Sequence, residues 1–276
     1  MNHNNHHPAI EIIRPLPNSA RVRHALFDFD GTLSRIREGW QEVMSEVMVG
    51  ALSALPRAHK PPDLSHYVAD FIRQTTGQAT ILQMVQLSHD VARRGGAALT
   101  PEAYKRQFRE KLAQRIADRL GRLSAGEINA EALLVPGSHQ LLEMLAASGV
   151  RCSLASGSDH DAVLIESDRL GLSPYFGPRI YGARTDQFYI SKADAMAKIL
   201  SEYQLAGDEL LVIGDGVVEI EEAKKVGAVA VGVAFDERNG SGVDLRNRAS
   251  LIAAGADAIV PDFRQLDGLA GYLFPA

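Results

Sequence analysis

The chain has 276 residues, of which 46% are hydrophobic and 23% are charged. This length suits one large domain or a medium domain that carries a smaller one, and the composition excludes a disordered or fibrous chain. The formal net charge of -5 provides no basic field for a nucleic acid or an anionic membrane surface, so an anionic ligand would need a local positive site.

The N-terminal residues and the single cysteine predict a cytoplasmic protein. The opening MNHNNHHPAIEIIRPLPNSA lacks a basic segment followed by an apolar one, so it does not resemble a secretory signal. We interpret residues 1–20 as a flexible polar tail in which His3, His6 and His7 are tail residues and not metal ligands. No uninterrupted apolar stretch is long enough to span a bilayer. Cys152 has no partner for an internal disulfide, and we expect a buried thiol in a reducing compartment.

The first predicted elements are a strand at 23–29 and a long helical segment after it. Four amphipathic stretches follow one another without a strand between them, at about 37–55, 64–74, 78–94 and 101–120. They predict an all-helical domain inserted after the first strand, over residues 35–134. The sequence 135-VPG is typical of a turn that returns the chain to the main domain.

From residue 135 onward, apolar runs of strand length alternate with helical segments. We predict strands at 151–156, 209–215, 228–234 and 256–261, and helices at 138–149, 160–170, 191–204, 218–226 and 244–254. Such alternation favours a parallel sheet. The sequence therefore predicts an α/β fold, with a Rossmann-like, doubly wound core formed by residues 21–34 and 135–276.

Two acidic motifs end predicted strands, where ligands collect in open α/β sheets. In 28-DFDGT, alternation along the strand places Asp28 and Asp30 on one side and Phe29 on the other. In 213-IGDGVVE, Asp215 follows the strand and Glu219 lies about one helical turn later. Crowded carboxylates repel one another unless a cation lies between them, and Mg²⁺ favours oxygen ligands. Each motif read alone could instead serve only a turn or a helix cap.

Two further residues could contact an anion. Ser156 ends a predicted strand before Gly157, so its hydroxyl and the following backbone N–H groups could bind a phosphate at the start of a helix. Lys192 opens the predicted helix 191–204, where an ammonium could neutralise phosphate oxygens. Without context, such a serine is more often a cap and such a lysine a surface charge.

The order of these motifs resembles the four sequential motifs of the haloacid dehalogenase superfamily. The quoted residues are DFDGT, a serine that ends a strand, a lysine, and GDG followed by an acid, and the resemblance spans about residues 28–262. It implies a Rossmann-like core with a helical cap of the C1 type, which matches the predicted helical insertion. The second aspartate of DFDGT argues against the dehalogenase branch and for phosphate chemistry.

The resemblance also implies a two-step reaction. Asp28 would attack phosphorus and form an aspartyl phosphate, while Asp30 would act as general acid and base. Mg²⁺ would be bound by Asp28, Asp215 and the backbone carbonyl of Asp30. The phosphate oxygens would be held by Thr32, Ser156, Gly157 and Lys192. Many relatives have an aspartate where this chain has Glu219, which could bind the metal directly, bind it through water, or orient Lys192.

Residues of the predicted insertion could complete the site. Arg35 and Arg37 follow the nucleophile loop, and either is a candidate ligand for a substrate phosphate or carboxylate, with a surface ion pair as the alternative for each. Trp40 falls on an apolar helical face and is interpreted as a core residue. The polar stretch 75-TTGQAT interrupts two helices and could reach the leaving group.

Together these features predict a Mg²⁺-dependent phosphomonoester hydrolase for a small phosphorylated metabolite such as a sugar phosphate, acting as a monomer or homodimer. A phosphomutase or phosphotransferase is an alternative, since an aspartyl phosphate can pass to another hydroxyl when water is excluded. A catalytically silent binding protein is a further alternative. Intact Asp28, Asp30, Lys192 and Asp215 argue against a silent protein, and Glu219 is the one feature that favours it.

Overall fold

A seven-stranded sheet forms the centre of the molecule. The computed structural model describes residues 10–16, 21–184 and 191–275, and His3, His6 and His7 lie outside these ranges. The strands are β1 (Glu11–Ile12), β2 (His24–Phe27), β3 (Arg151–Asp159), β4 (Ile180–Ala183), β5 (Leu210–Gly214), β6 (Val229–Val233) and β7 (Ala258–Val260). Their order is β1-β7-β6-β5-β2-β3-β4, with β1 antiparallel to β7 and the other neighbours parallel.

Helices cover this sheet and fill the segment between β2 and β3. That segment, which we call the helical insertion (residues 35–134), contains α1 (Trp40–Ser53), α2 (Leu64–Thr75), α3 (Thr80–Arg93) and α4 (Pro101–Ser124). The remaining described helices are α5 (Ser138–Ala147), α6 (His160–Arg169), α7 (Ser173–Phe176), α8 (Lys192–Glu202), α9 (Val217–Lys225), α10 (Leu245–Ala254) and α11 (Leu266–Leu273). None of the described helices is both long and apolar enough to cross a membrane.

Strands β5, β6 and β7 are apolar and buried along their whole length, as is typical where helices cover both faces of a sheet. Successive residues of β2 show this: Phe27 packs in a large cluster that continues into the helical insertion, and Leu26 packs in a second cluster with Met196 and Val212. Met44 and Met48 of α1 belong to the same large cluster as Phe27. The insertion and the sheet therefore share one continuous apolar core.

The sheet register brings three site-bearing segments together. Phe27, the last residue of β2, pairs with Leu154 of β3 on one side and with Ile213 of β5 on the other. The residues that follow these three positions consequently leave the sheet at the same edge. This is the edge at which ligands bind in open α/β sheets, beside a strand whose two neighbours come from different parts of the chain.

Residues 11–12 are not part of a flexible tail, so the prediction for residues 1–20 is wrong there. Glu11 and Ile12 pair with Ile259 and Ala258 of β7. The Glu11 carboxylate also accepts a hydrogen bond from Arg248 Nε at 2.6 Å. The backbone pairing and the ion pair fix this edge strand, which polar sequence context alone did not reveal.

Candidate active site

Three carboxylates meet at the carboxyl edge of the sheet. Asp28 follows β2, Asp215 follows β5, and Glu219 lies in the first turn of α9. One oxygen of each side chain lies within 4.8 Å of the others. We call Asp28, Asp215 and Glu219 the carboxylate cluster. The two acidic motifs found in the sequence therefore form a single site.

Lys192 joins two members of the carboxylate cluster. Its Nζ lies 2.6 Å from Asp28 Oδ1 and 3.1 Å from Glu219 Oε2. Lys192 is placed by the start of α8, where the Ser191 hydroxyl accepts a hydrogen bond from the Asp194 N–H at 3.1 Å in a capping box. Burial alone would lower the pKa of the Lys192 ammonium, but Asp28 and Glu219 outweigh burial and raise it. Lys192 is thus a buried, paired cation.

The carboxylate cluster is short of positive charge. Burial raises the pKa of Asp28 to about 6, with Lys192 opposing this shift and Glu219 adding to it. Burial and then the neighbouring Asp28 raise the pKa of Asp215 well above its usual range. Thr32 Oγ1 donates to Asp215 Oδ1 at 3.3 Å. A single ammonium facing three carboxylates, two of them buried, leaves room for a further cation among hard oxygen donors.

Asp30 is held separately from the carboxylate cluster. Ser158 Oγ donates a hydrogen bond to Asp30 Oδ2 at 2.7 Å. Arg37 Nε lies 3.5 Å from Asp30 Oδ1, and that buried oxygen accepts no hydrogen bond from any described residue. One oxygen of Asp30 is therefore held by Ser158, and the other has no hydrogen-bond donor among the described residues.

Arg37 forms a bidentate ion pair with Glu166 of α6. Its Nε and Nη2 donate to Glu166 Oε2 and Oε1 at 3.1 and 2.9 Å, and its Nη1 donates to Ser158 Oγ at 2.7 Å. Burial would lower the pKa of this guanidinium, but the charges of Asp30 and Glu166 outweigh burial and raise it. Arg37, predicted as a substrate ligand, is thus engaged by residues of the protein itself.

Ser156 and Gly157 lie where the helical insertion approaches the sheet. Ser156, in β3, is buried, and its hydroxyl accepts a hydrogen bond from the Ser158 N–H at 3.1 Å. A side chain at position 157 would overlap the backbone of Gln78, because an added Cβ would lie 2.9 Å from the Gln78 carbonyl carbon. Only glycine permits such a close approach of two backbones.

The segment that touches Gly157, residues 76–78, is the insertion loop between α2 and α3. Gly77 lies against the Glu219 carboxylate, and a Cβ at Gly216 would lie 2.8 Å from the Thr76 carbonyl oxygen. The stretch 75-TTGQAT therefore lies at the site, and its contact with a leaving group stays a prediction. Its contact with the sheet loops is made by backbone atoms that pack on glycines.

A cavity of about 60 Å³ lies between the insertion and the sheet. The sheet side contributes Asp28, Asp30, Asp215, Ser156, Gly157 and Ser158, and the insertion side contributes Arg37, Trp40, Thr76, Gly77, Gln78, Thr80, Gln83, Phe108 and Leu112. Trp40 is partly buried and packs against the large apolar cluster, in agreement with its predicted core position. Another part of the same side chain lines the cavity.

The model of one protein family, the haloacid dehalogenase-like hydrolases, matches residues 22–227 of the chain. The chain belongs to this family. No curated protein sequence matches it. Among solved structures, the fold of this hydrolase is similar to that of a hydrolase from Pseudomonas syringae, at 24% identity and a TM-score of 0.55, over 90% of this chain and 97% of the other.

Two further structures show the same fold. A predicted phosphoglycolate phosphatase from Haemophilus somnus is 16% identical with a TM-score of 0.58, over 90% of this chain and 98% of its own. The protein CbbY from Rhodobacter sphaeroides, solved in complex with phosphate, is 18% identical with a TM-score of 0.56, over 91% and 99%. This haloacid dehalogenase-like hydrolase therefore shares its fold with proteins of low sequence identity.

Sequence reasoning missed two residues of this hydrolase site. Ser158 lies two positions beyond the predicted Ser156, within the longer β3 that the structure shows. Glu166 contacts Arg37 although 129 residues separate them. The serine could have been found from 156-SGSD as a run of small polar residues at a strand end, whereas no local signal marks Glu166 as the partner of Arg37.

Proposed function

We propose that this hydrolase is a Mg²⁺-dependent phosphomonoesterase that acts on a small phosphorylated metabolite through an aspartyl phosphate. The observation that carries the proposal is the position of the Asp28 carboxylate, which is buried, lies 2.6 Å from Lys192 Nζ, and shares a cluster with Asp215 and Glu219. Such a carboxylate can act as a nucleophile when cations around it screen the charge of a phosphate.

Asp28, Asp215 and Glu219 would hold the Mg²⁺, together with the backbone carbonyl of Asp30. Their donors are all oxygen atoms, and the uncompensated negative charge of the carboxylate cluster fits a divalent cation. When bound, Mg²⁺ would reduce the repulsion between the carboxylate and the phosphate and stabilise the charge that spreads over the phosphoryl oxygens.

Different residues would have different roles in the reaction. Asp28 would form a bond to phosphorus as the ester P–O bond breaks, and Lys192, Thr32, Ser156 and the backbone of Gly157 would hold the phosphoryl oxygens.

Asp30 Oδ1 would give a proton to the departing alcohol oxygen and later take one from the water that hydrolyses the aspartyl phosphate. Ser158 supports this role because it holds Oδ2, while Oδ1 accepts no hydrogen bond within the described part of the chain. The helical insertion would act as a cap, with the insertion loop over the nucleophile excluding bulk water.

The test is phosphate release from a panel of phosphomonoesters, with and without Mg²⁺, for the wild-type chain and for Asp28→Asn. We expect release that requires Mg²⁺ and falls to background in the variant. No release from a folded protein that binds Mg²⁺ in calorimetry would overturn the proposal. Isomerisation of a phosphosugar would then identify a mutase, and its absence a binding protein.

A further inference from the structure

The charges around the cavity are unevenly distributed. Asp28, Asp30 and Asp215 line the cavity on the sheet side, and Arg37 is the cation among its described lining residues. Arg37 already has anionic partners, because two of its nitrogens donate hydrogen bonds to Glu166 and its Nε lies 3.5 Å from Asp30. The lining of the cavity therefore has no unpaired positive charge within the described part of the chain.

Two lysines near the cavity are paired as well. Lys192 contacts Asp28 and Glu219, and this position suits the binding of the one phosphoryl group that Asp28 would attack. Lys105, one turn before Phe108 on α4, lies 2.5 Å from Asp159 Oδ1. Residues 185–190, outside the described ranges, contain no lysine, arginine or histidine.

The insertion side, where a leaving group would lie, is mostly uncharged. Trp40, Phe108 and Leu112 provide apolar surface there, and the polar groups beside them are neutral amides and hydroxyls, including those of Gln78 and Gln83. Neutral amides can accept and donate hydrogen bonds to alcohol groups, and an aromatic side chain can pack on an apolar ring face.

We propose that this site selects phosphomonoesters whose leaving alcohol is uncharged and discriminates against substrates with a second anionic group. This inference rests on the proposed phosphatase function. A second carboxylate or phosphate would lose its hydration beside apolar and amide groups without gaining a free cation. A neutral alcohol does not carry this desolvation cost.

Two pairs of substrates isolate this charge. 2-Hydroxyethyl phosphate and phosphoglycolate differ only by a hydroxymethyl group in place of a carboxylate, as do glycerol 3-phosphate and 3-phosphoglycerate. With the full chain and Mg²⁺, we expect kcat/KM to be about tenfold or more higher for the neutral member of each pair. Equal values within the pairs, or a preference for the carboxylates, would overturn the inference.

A matched pair of variants tests whether the cavity lining sets this preference. The Gln86 side chain donates a hydrogen bond to Gln78 Oε1 at 2.9 Å. Gln78 lines the cavity, whereas Gln86 is exposed on α3. Gln78→Lys replaces the acceptor of this bond with a positive charge at the cavity, and Gln86→Lys adds the same charge at the exposed donor position while Gln78 stays intact. We expect Gln78→Lys to raise the carboxylate-to-neutral ratio of kcat/KM by about tenfold, and Gln86→Lys to leave it unchanged.

An unchanged ratio in Gln78→Lys, or an equal change in both variants, would overturn the inference. The failure of the proposed function has a different signature. In that case a folded chain with Mg²⁺ would release phosphate from neither member of any pair, nor from p-nitrophenyl phosphate. Release from both members without discrimination would refute the charge selectivity and leave the phosphatase function standing.

Discussion

Replacement of Gly157 by alanine tests whether the insertion loop must contact the sheet for catalysis. An added Cβ would lie 2.9 Å from the Gln78 carbonyl carbon and 3.3 Å from the Ala79 Cα, and the Gln78 oxygen would be closer still. Gly157 does not have a left-handed φ, so alanine suits the local backbone. The clash with the insertion loop is therefore the effect that the substitution adds.

The size of the effect follows from these contacts. Carbon atoms in contact lie about 3.5–4.0 Å apart, so the loop must withdraw by about 0.5–1 Å. The opposing atoms belong to the backbone and cannot rotate away, and the whole loop must therefore move. A displacement of about 1 Å can lower the rate of a positioned site by about 100-fold. We expect kcat/KM to fall about 10- to 100-fold, with a loss of less than about 1 kcal/mol in the free energy of unfolding, below the ~1–3 kcal/mol of an overpacked core.

Three measurements examine this expectation together: phosphate release, urea unfolding, and hydrogen exchange of the amides at 75–80, which should exchange faster in the variant. Gly50→Ala is the control, because Gly50 lies within α1 and a Cβ there meets no atom within 4 Å. The control should gain about 0.5–1 kcal/mol in stability from the better helix propensity of alanine. Its activity and its exchange at 75–80 should stay the same.

Two outcomes for Gly157→Ala would refute this reasoning. Unchanged activity with unchanged exchange at 75–80 would show that the close approach of the insertion loop has no role in the reaction. A loss of several kcal/mol in the free energy of unfolding would show that the loop cannot withdraw and that the clash strains the core.

The remaining predictions concern buried charged and polar groups. Glu166→Gln leaves the largely buried Arg37 with one acceptor too few, so the free energy of unfolding in urea should fall by about 1–3 kcal/mol. The loss should be smaller for Glu222→Gln, which weakens a partly exposed ion pair with Lys225, and equal losses would contradict this. Burial, with nearby arginines, lowers the pKa of His24 to about 4. The unfolded chain therefore binds this proton first as the pH falls, so His24 should contribute a loss of about 1–2 kcal/mol in stability between pH 7 and 5. This contribution is the difference in pH dependence between the wild-type chain and a His24→Gln variant, and an identical pH dependence in both would refute it. Burial raises the pKa of the Cys152 thiol to about 12, so a thiol reagent at pH 8 should label it only as the chain unfolds, and rapid labelling of the folded chain would contradict this.

The central strands could be predicted because burial on both faces gives them uninterrupted apolar runs. All five predicted strands are present, from β2 at His24–Phe27 to β7 at Ala258–Val260. The two unpredicted strands, β1 and β4, lie at the edges of the sheet. An edge strand is short and owes its conformation to its single neighbour, and for β1 that neighbour is β7, which lies at the other end of the chain. Local periodicity cannot show such a pairing.

The part of the site that belongs to the sheet was also predictable, for a topological reason. Asp28 and Asp215 each follow a strand, and parallel strands end at one edge, so their convergence follows from the strand order. Arg37 enters from the helical insertion, and its direction depends on packing between elements distant in sequence. Its residue type predicted an anion as its partner, but only the structure shows that this anion is Glu166 of the same chain.

Glu219 is the residue whose interpretation the structure changes most. As a glutamate where many relatives have an aspartate, it was the feature that favoured a silent binding protein. Its carboxylate accepts a hydrogen bond from the Gly216 N–H at 2.7 Å through Oε1, while Oε2 lies 3.1 Å from Lys192 Nζ. The same side chain stays within 4.8 Å of oxygens of Asp28 and Asp215. A longer acid can thus close the first turn of α9, orient Lys192 and remain available to a metal, so the substitution no longer argues for a site that has lost its chemistry.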